Sequence, residues 1–267
     1  MRVFVQVIAT CFLICTLSFC KKDTKTTTPN PTPNPTPETK TGGLSLFFEN
    51  KVDSVGLAFN KDYVNTNGDT FSVSKFNYFI TNIVLTKSDG STFAEPESYH
   101  LVKHSDQKTY WINIKNVPVG SYKSVKFTLG VDSARNVSGT QTGDLSMTTS
   151  SDMFWSWNTG YIFFKLEGKA SKSTDPSKYI EYHIGGYGGA NKAQRTMSFN
   201  ITEPAEVSTT ISPKVHFFAN VNKVFDGKTK IDFSKAGYSK VLVPGVYSLE
   251  IADNYAQMFY YGHTHND

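Results

Sequence analysis

Apolar and polar residues alternate with a period of two in four separate runs: Val125-Lys126-Phe127-Thr128-Leu129-Gly130-Val131, Ile162-Phe163-Phe164-Lys165-Leu166, Ile180-Glu181-Tyr182-His183-Ile184 and Met197-Ser198-Phe199-Asn200-Ile201. In a strand successive side chains point to opposite faces, so each run carries one apolar face that must be covered. Aromatic and β-branched residues dominate these runs, and turn signals separate them: Asn67-Gly68-Asp69, Asp89-Gly90, Pro118-Val119-Gly120, Asp226-Gly227 and Pro244-Gly245. No segment carries a long, capped 3.6-residue period. The expected fold is all-β, an antiparallel β-sandwich with long loops and at most short helices.

The N-terminus has a different character. Met1-Arg2 precedes an apolar run from Val3 to Phe19 that Lys21-Lys22-Asp23 ends abruptly. The run has the anatomy of a secretory signal and is short for a membrane-spanning helix. Leu17-Ser18-Phe19-Cys20 resembles a lipobox, with Phe19 bulkier than the usual Gly or Ala; the other reading is an ordinary cleaved signal. All three cysteines, Cys11, Cys15 and Cys20, lie in or at the end of this segment, which leaves the domain no disulfide. Thr-rich sequence and the alternating prolines of Pro29–Pro37 follow, a semi-rigid extended spacer. The expected organisation is a signal peptide over 1–19, a lipidated Cys20 and Pro/Thr-rich linker over 20–43, and one β-sandwich domain over 44–267. It places the domain outside the cytoplasm, tethered to a membrane through a lipid, on the periplasmic side of the outer membrane or at the cell surface.

The formal charge of +4 is spread along the chain and unclustered, so no nucleic-acid partner is expected. Nucleophile-elbow, phosphate-loop, His-Glu-x-x-His and EF-type calcium motifs are absent. Gly185-Gly186-Tyr187-Gly188-Gly189 follows a strand and opens no convincing helix, so it reads as a turn or a close backbone approach. The remaining chemical material is six histidines. His263-Thr264-His265 places two imidazoles on one side of an extended segment, where they are able to share a metal; a frayed, solvated tail is the plainer alternative. His183 lies within an alternating strand, where a lone histidine is more often a satisfied, partly buried side chain.

Met153-Phe154-Trp155-Ser156-Trp157-Asn158-Thr159-Gly160-Tyr161 holds two of the three tryptophans. By composition it is a core aromatic cluster. In order along the chain, Gly130-Val131-Asp132, Leu145, the block from Met153 through Glu167-Gly168, and Tyr182-His183-Ile184-Gly185 resemble the MbnP family of copper-associated extracytoplasmic proteins. The ending, Met258-Phe259 with His263-Thr264-His265, is similar to that of lipoprotein members.

The resemblance implies copper binding or copper handling, with a dihaem cytochrome c peroxidase-like partner of the MbnH type that oxidises a tryptophan of the β-protein to kynurenine. It makes Trp155 and Trp157 the candidates for modification and matches His183 to the family's strand histidine; with the terminal pair His263 and His265, taken from their spacing, these are the candidate metal ligands. A copper-binding relative carries a histidine two positions after its modified tryptophan; Trp157 stands there in this chain, and Trp155 aligns with the modified residue. Thioether sulfur from Met153 or Met258 would favour reduced copper. In this reading the chain is a substrate and partner, not an enzyme. The alternative function is a surface module that binds glycans or another protein, with Trp111, Trp155 and Trp157 exposed as stacking platforms.

Overall fold

The alternating runs form two sheets in a computed structural model that describes residues 39–137, 141–158 and 160–267. The signal segment, Cys20 and the proline spacer lie outside the described residues. One sheet has five strands: β1 (Thr41–Val52), β2 (Val55–Gly56), β7 (Trp111–Pro118), β12 (Lys214–Asn220) and β14 (Phe259–His265). The other has nine: β3 (Asp62–Val64), β4 (Thr70–Lys87), β5 (Thr92–Ala94), β6 (Tyr99–Lys103), β8 (Gly120–Leu129), β9 (Ile162–Ala170), β10 (Tyr179–Gly185), β11 (Arg195–Val207) and β13 (Lys240–Val241). The 18-residue β4 is the spine of the larger sheet: its first half pairs with β9 and its second half with β8.

Both sheets turn an apolar face inward. From the smaller sheet come Leu44, Leu46, Phe48, Val215, Phe217 and Phe259, all buried. From the larger come Tyr78, Val125, Phe127 and Leu129, also buried. The faces meet in an aromatic cluster: Phe127 lies edge-on to Phe48, Phe217 and Phe259 at ring-centroid distances of 5.4, 5.6 and 5.2 Å. Such edge-to-face packing is favoured by the ring quadrupoles beyond the area it buries. This is the expected sandwich.

Two pairings depart from the antiparallel expectation. β1 runs parallel to β12, with Leu46 beside Val215 and Phe48 beside Phe217, and β10 runs parallel to β13. Period-two alternation reports which face a residue occupies and is blind to strand direction, which is why the sequence did not separate the two cases.

Among the described residues helices are short except one. α1 (Ser133–Val137), α2 (Met147–Ser150) and α3 (Asn222–Phe225) are single turns, whereas α4 (Val246–Tyr255) has 10 residues. Pro244-Gly245 leads into α4 where the sequence suggested only a turn. Asn254 ties the end of α4 to the segment before it, donating to the carbonyls of Val224 and Thr229 at 2.9 and 2.6 Å. Among the described residues no helix is long and apolar enough to cross a membrane.

The inter-sheet cluster carries the fold's stability. Phe127→Ala should therefore lower the unfolding free energy in urea by about 3–5 kcal/mol. Exposed Lys126→Ala, next to it on the opposite face, should change it by less than about 0.5 kcal/mol.

Candidate metal centre and tryptophan pair

The outer face of the smaller sheet is built by the same register that fills the core. Phe217 points inward, so its neighbour His216 points outward, as alternation requires. On β14, Thr264 is paired with Val215 and Tyr261 with Phe217, so His216 stands opposite two residues, Gly262 and His263. That extra residue is a β-bulge, which re-aims side chains locally. It leaves His263 on the outer face beside His216, with His265 two residues further on the same side. A side chain at Gly262 would be obstructed, because its Cβ would lie 2.5 Å from Cε2 of Phe218.

The result is a cluster that the sequence did not show. His216, His263 and His265 each offer a ring nitrogen, and these atoms all lie within 4.8 Å of one another. Ring centroids are 4.4 Å apart for His216–His263, 5.2 Å for His216–His265 and 4.8 Å for His263–His265. Burial, together with the neighbouring imidazoles, pushes the His216 pKa down to about 4. A neutral imidazole with a free lone pair is the form that binds a metal.

The C-terminal segment is a paired strand, not a frayed tail. The backbone N–H of Thr264 donates to the Glu203 carboxylate at 3.0 Å, and Asn266 accepts from Glu206 N–H at 2.8 Å. An aromatic wall flanks the cluster: Phe47 lies 4.9 Å from His216 and 4.4 Å from Trp111, and Trp111 lies 5.9 Å from His216, centroid to centroid.

His183 is not part of this cluster. It lies on β10 in the larger sheet, with Nε2 2.8 Å from Oε1 of Glu167, and the Lys165 ammonium lies 3.8 Å from the same oxygen. The His183 hydrogen bond holds the Glu167 carboxyl below its ordinary range. The candidate thioethers are equally remote in kind: Met153 and Met258 are fully buried in the core.

The aromatic segment forms a tight loop before β9 (Ile162–Ala170). Phe154 bridges to Tyr161, and Trp155 N–H donates to the carbonyl of Gly160 at 3.3 Å. Its start is anchored by Lys165, whose ammonium donates to the Asp152 carbonyl at 2.5 Å; burial lowers that lysine's pKa. Its end is held by Asn136, which accepts from Tyr161 N–H at 2.9 Å and donates to the carbonyls of Val131 and Asp132. The Tyr161 hydroxyl donates to the Leu145 carbonyl at 2.5 Å. Val131-Asp132, Leu145 and Tyr161, scattered in sequence, thus form one scaffold around the loop.

Within the loop the two tryptophans differ sharply. Trp155 is buried, 5% exposed, and its Nε1 finds no hydrogen-bond acceptor among the described residues. Trp157 is 60% exposed and packs on it, with centroids 5.5 Å apart at an interplanar angle of 45°. Gly185 is the close backbone approach expected of the glycine run: a Cβ there would meet Cη2 of Trp155 at 2.6 Å. The glycan-platform reading needs three exposed rings, and the burial of Trp155 removes one.

The sequence profile of the MbnP family matches residues 41–243. The chain belongs to the MbnP family. Among solved structures, MbnP from Methylosinus trichosporium is similar in fold, with a TM-score of 0.50 and 14% identity over 76% of this chain and 83% of that one. No curated protein matches significantly. The match to the MbnP profile includes the tryptophan loop and His216, whereas β14 (Phe259–His265), which supplies the other two histidines, follows it.

The depressed His216 pKa gives a signed expectation for the metal-free domain. Between 6.5, where the unfolded chain takes up the proton, and about 4, where folded His216 does, the unfolded state binds more protons. Stability should therefore fall on acidification through that window. Replacing His216 by Ala should flatten this part of the profile, read from urea midpoints on either side of it in the presence of a chelator.

Proposed function

We propose that this MbnP-family chain is a lipid-anchored copper-handling protein outside the cytoplasm. Cys20 carries the anchor, and His216, His263 and His265 bind copper. Trp155 is the tryptophan that a dihaem cytochrome c peroxidase-like partner converts to kynurenine. The chain acts as substrate and partner, not as a catalyst.

The observation that carries the copper reading is the cluster of three imidazoles with no carboxylate or thiolate among its ligand atoms. Metal–imidazole bonds of about 2.0–2.1 Å place ligand nitrogens about 3.3–3.6 Å apart, so small side-chain rotations from the present arrangement suffice. Imidazole suits copper, which outranks the other first-row divalent ions at a nitrogen site. Bound copper would supply a one-electron couple at the outer face of the smaller sheet. His216 contributes the ligand most firmly held by backbone pairing. Gly262 allows the bulge that aims His263, and Phe47 and Trp111 screen one side from water. The pairing of His183 with Glu167 in the other sheet supports a structural role for that histidine.

Copper(II) titration of the mature chain should quench tryptophan fluorescence, chiefly through Trp111, because it alone of the three tryptophans packs against the cluster. Stoichiometric binding should be lost in the variant His216→Ala, His263→Ala, His265→Ala and retained in His183→Ala. Undiminished binding by the triple variant would remove these residues from the site. Cys20→Ala should move the protein out of the membrane fraction in the native host; retention there after a high-salt wash would exclude the lipid anchor.

A further inference from the structure

We propose that Trp157 is the electron relay through which an oxidant outside the protein reaches Trp155. The inference rests on the reading above only in naming the physiological oxidant; the relay itself follows from the loop. Trp155 is nearly sealed: it is 5% exposed, and its ring edge packs against the backbone at Gly185. A partner protein cannot lay a haem edge against it. Trp157 stands outside it, 60% exposed, with the two indoles in contact at 5.5 Å. That separation lies within the range of packed aromatic pairs. Both stations are indoles, so an electron moves between groups of similar intrinsic potential, and no further side chain is needed.

Each transit is a single-electron step. The external oxidant takes one electron from Trp157, and Trp155 gives one electron to the Trp157 radical cation, which restores Trp157 and leaves the radical cation on Trp155. This step is electron transfer alone; the protons leave in the water-addition steps that follow.

Conversion of Trp155 to kynurenine then requires four electrons to leave by this route. With a haem peroxidase as oxidant, two hydrogen peroxide molecules accept the four electrons and four protons and become four waters. The indole C2–C3 bond breaks, two waters supply the oxygens placed on C2 and C3, and a third water hydrolyses the formyl group, releasing C2 as formate. Trp157 is unchanged at the end. The relay also explains why the exposed ring is the carrier and the buried ring the product: the Trp157 radical is refilled from within, whereas the Trp155 radical has no further donor behind it in the pair.

The test uses the mature full-length chain and a soluble photo-oxidant, ruthenium(III) tris-bipyridine generated by flash-quench, so that it does not depend on the partner. Oxidation is localised by peptide fragmentation, with exposed Trp111 on the other sheet as the dose control. In the wild type, oxygen should accumulate at Trp155. Trp157→Phe, which keeps a ring at this exposed position, should lower the yield at Trp155 at least tenfold with Trp111 unchanged. Trp157→Tyr, nearly identical in shape to the Phe variant and oxidisable, should restore a substantial part. Equal oxidation of Trp155 in the Trp157→Phe variant, or products confined to Trp157 in the wild type, would overturn the relay. A parallel reaction with the host's dihaem protein and hydrogen peroxide separates the two ideas: if that protein leaves both tryptophans intact while the photo-oxidant reaches Trp155 through Trp157, the partner assignment falls and the relay stands.

Discussion

The register of β12 (Lys214–Asn220) against β1 (Thr41–Val52) is the constraint on which both the fold and the histidine cluster depend. Phe217 must enter the space between the sheets to meet Phe127 and Phe48, and the alternation of a strand then leaves His216 no choice of face. The same register fixes Phe47 beside His216 and, through β7 (Trp111–Pro118), Trp111 beside Phe47. A slip of one residue in β12 would turn Lys214, His216 and Phe218 inward and expose Val215, Phe217 and Ala219. Core packing thus sets the geometry of the histidine cluster, and the aromatic cost of a slip protects it.

Much of this was legible in the chain and some was not, for identifiable reasons. Alternation located β8 (Gly120–Leu129), β9 (Ile162–Ala170), β10 (Tyr179–Gly185) and β11 (Arg195–Val207), because a half-buried strand writes its burial into neighbouring residues. Parallel pairing of β1 with β12 left no such trace. α4 (Val246–Tyr255) lacks a sequence signal because no side-chain N-cap announces it and its buried face, Ser248, Ile251, Ala252, Asn254 and Tyr255, is partly polar, so no continuous apolar stripe marks it.

For the site, the spacing of His263 and His265 correctly placed both imidazoles on one side of a strand. His216 escaped because its partnership with them comes from a long-range strand pairing and a bulge, neither of which has a local signal beyond Gly262. His183 was grouped with them by family resemblance, but it lies in the other sheet, where its neighbour is Glu167.

The tryptophan pair and the histidine cluster lie on different sheets. The tryptophan that adjoins the histidines is Trp111, on the smaller sheet, while Trp155 and Trp157 belong to the loop preceding β9 in the larger one. Separation has a chemical consequence. An imidazole cluster of this kind needs access to a metal and mobility enough to close around it, which the outer face and the terminal strand supply. A tryptophan that is to hold a radical long enough for chemistry needs the reverse: a fixed ring shielded from direct contact with outside reductants.

The loop meets that second requirement through groups far apart in sequence. Asn136 joins the turn after β8 to Tyr161, Tyr161 reaches back to Leu145, and Lys165 reaches back to Asp152, so both ends of the segment are fixed by hydrogen bonds to backbone. Lys165 makes this possible at the expense of being buried, which lowers its pKa; the nearby Glu167 carboxylate, itself held ionised by His183, offsets part of that burden. His183 therefore acts on the tryptophan loop at third hand, through Glu167 and Lys165. That chain of contacts gives a physical reason for the Tyr182-His183-Ile184-Gly185 segment to accompany the Trp-x-Trp block: its histidine steadies the charge that anchors the loop, and its glycine leaves the space that the Trp155 ring occupies.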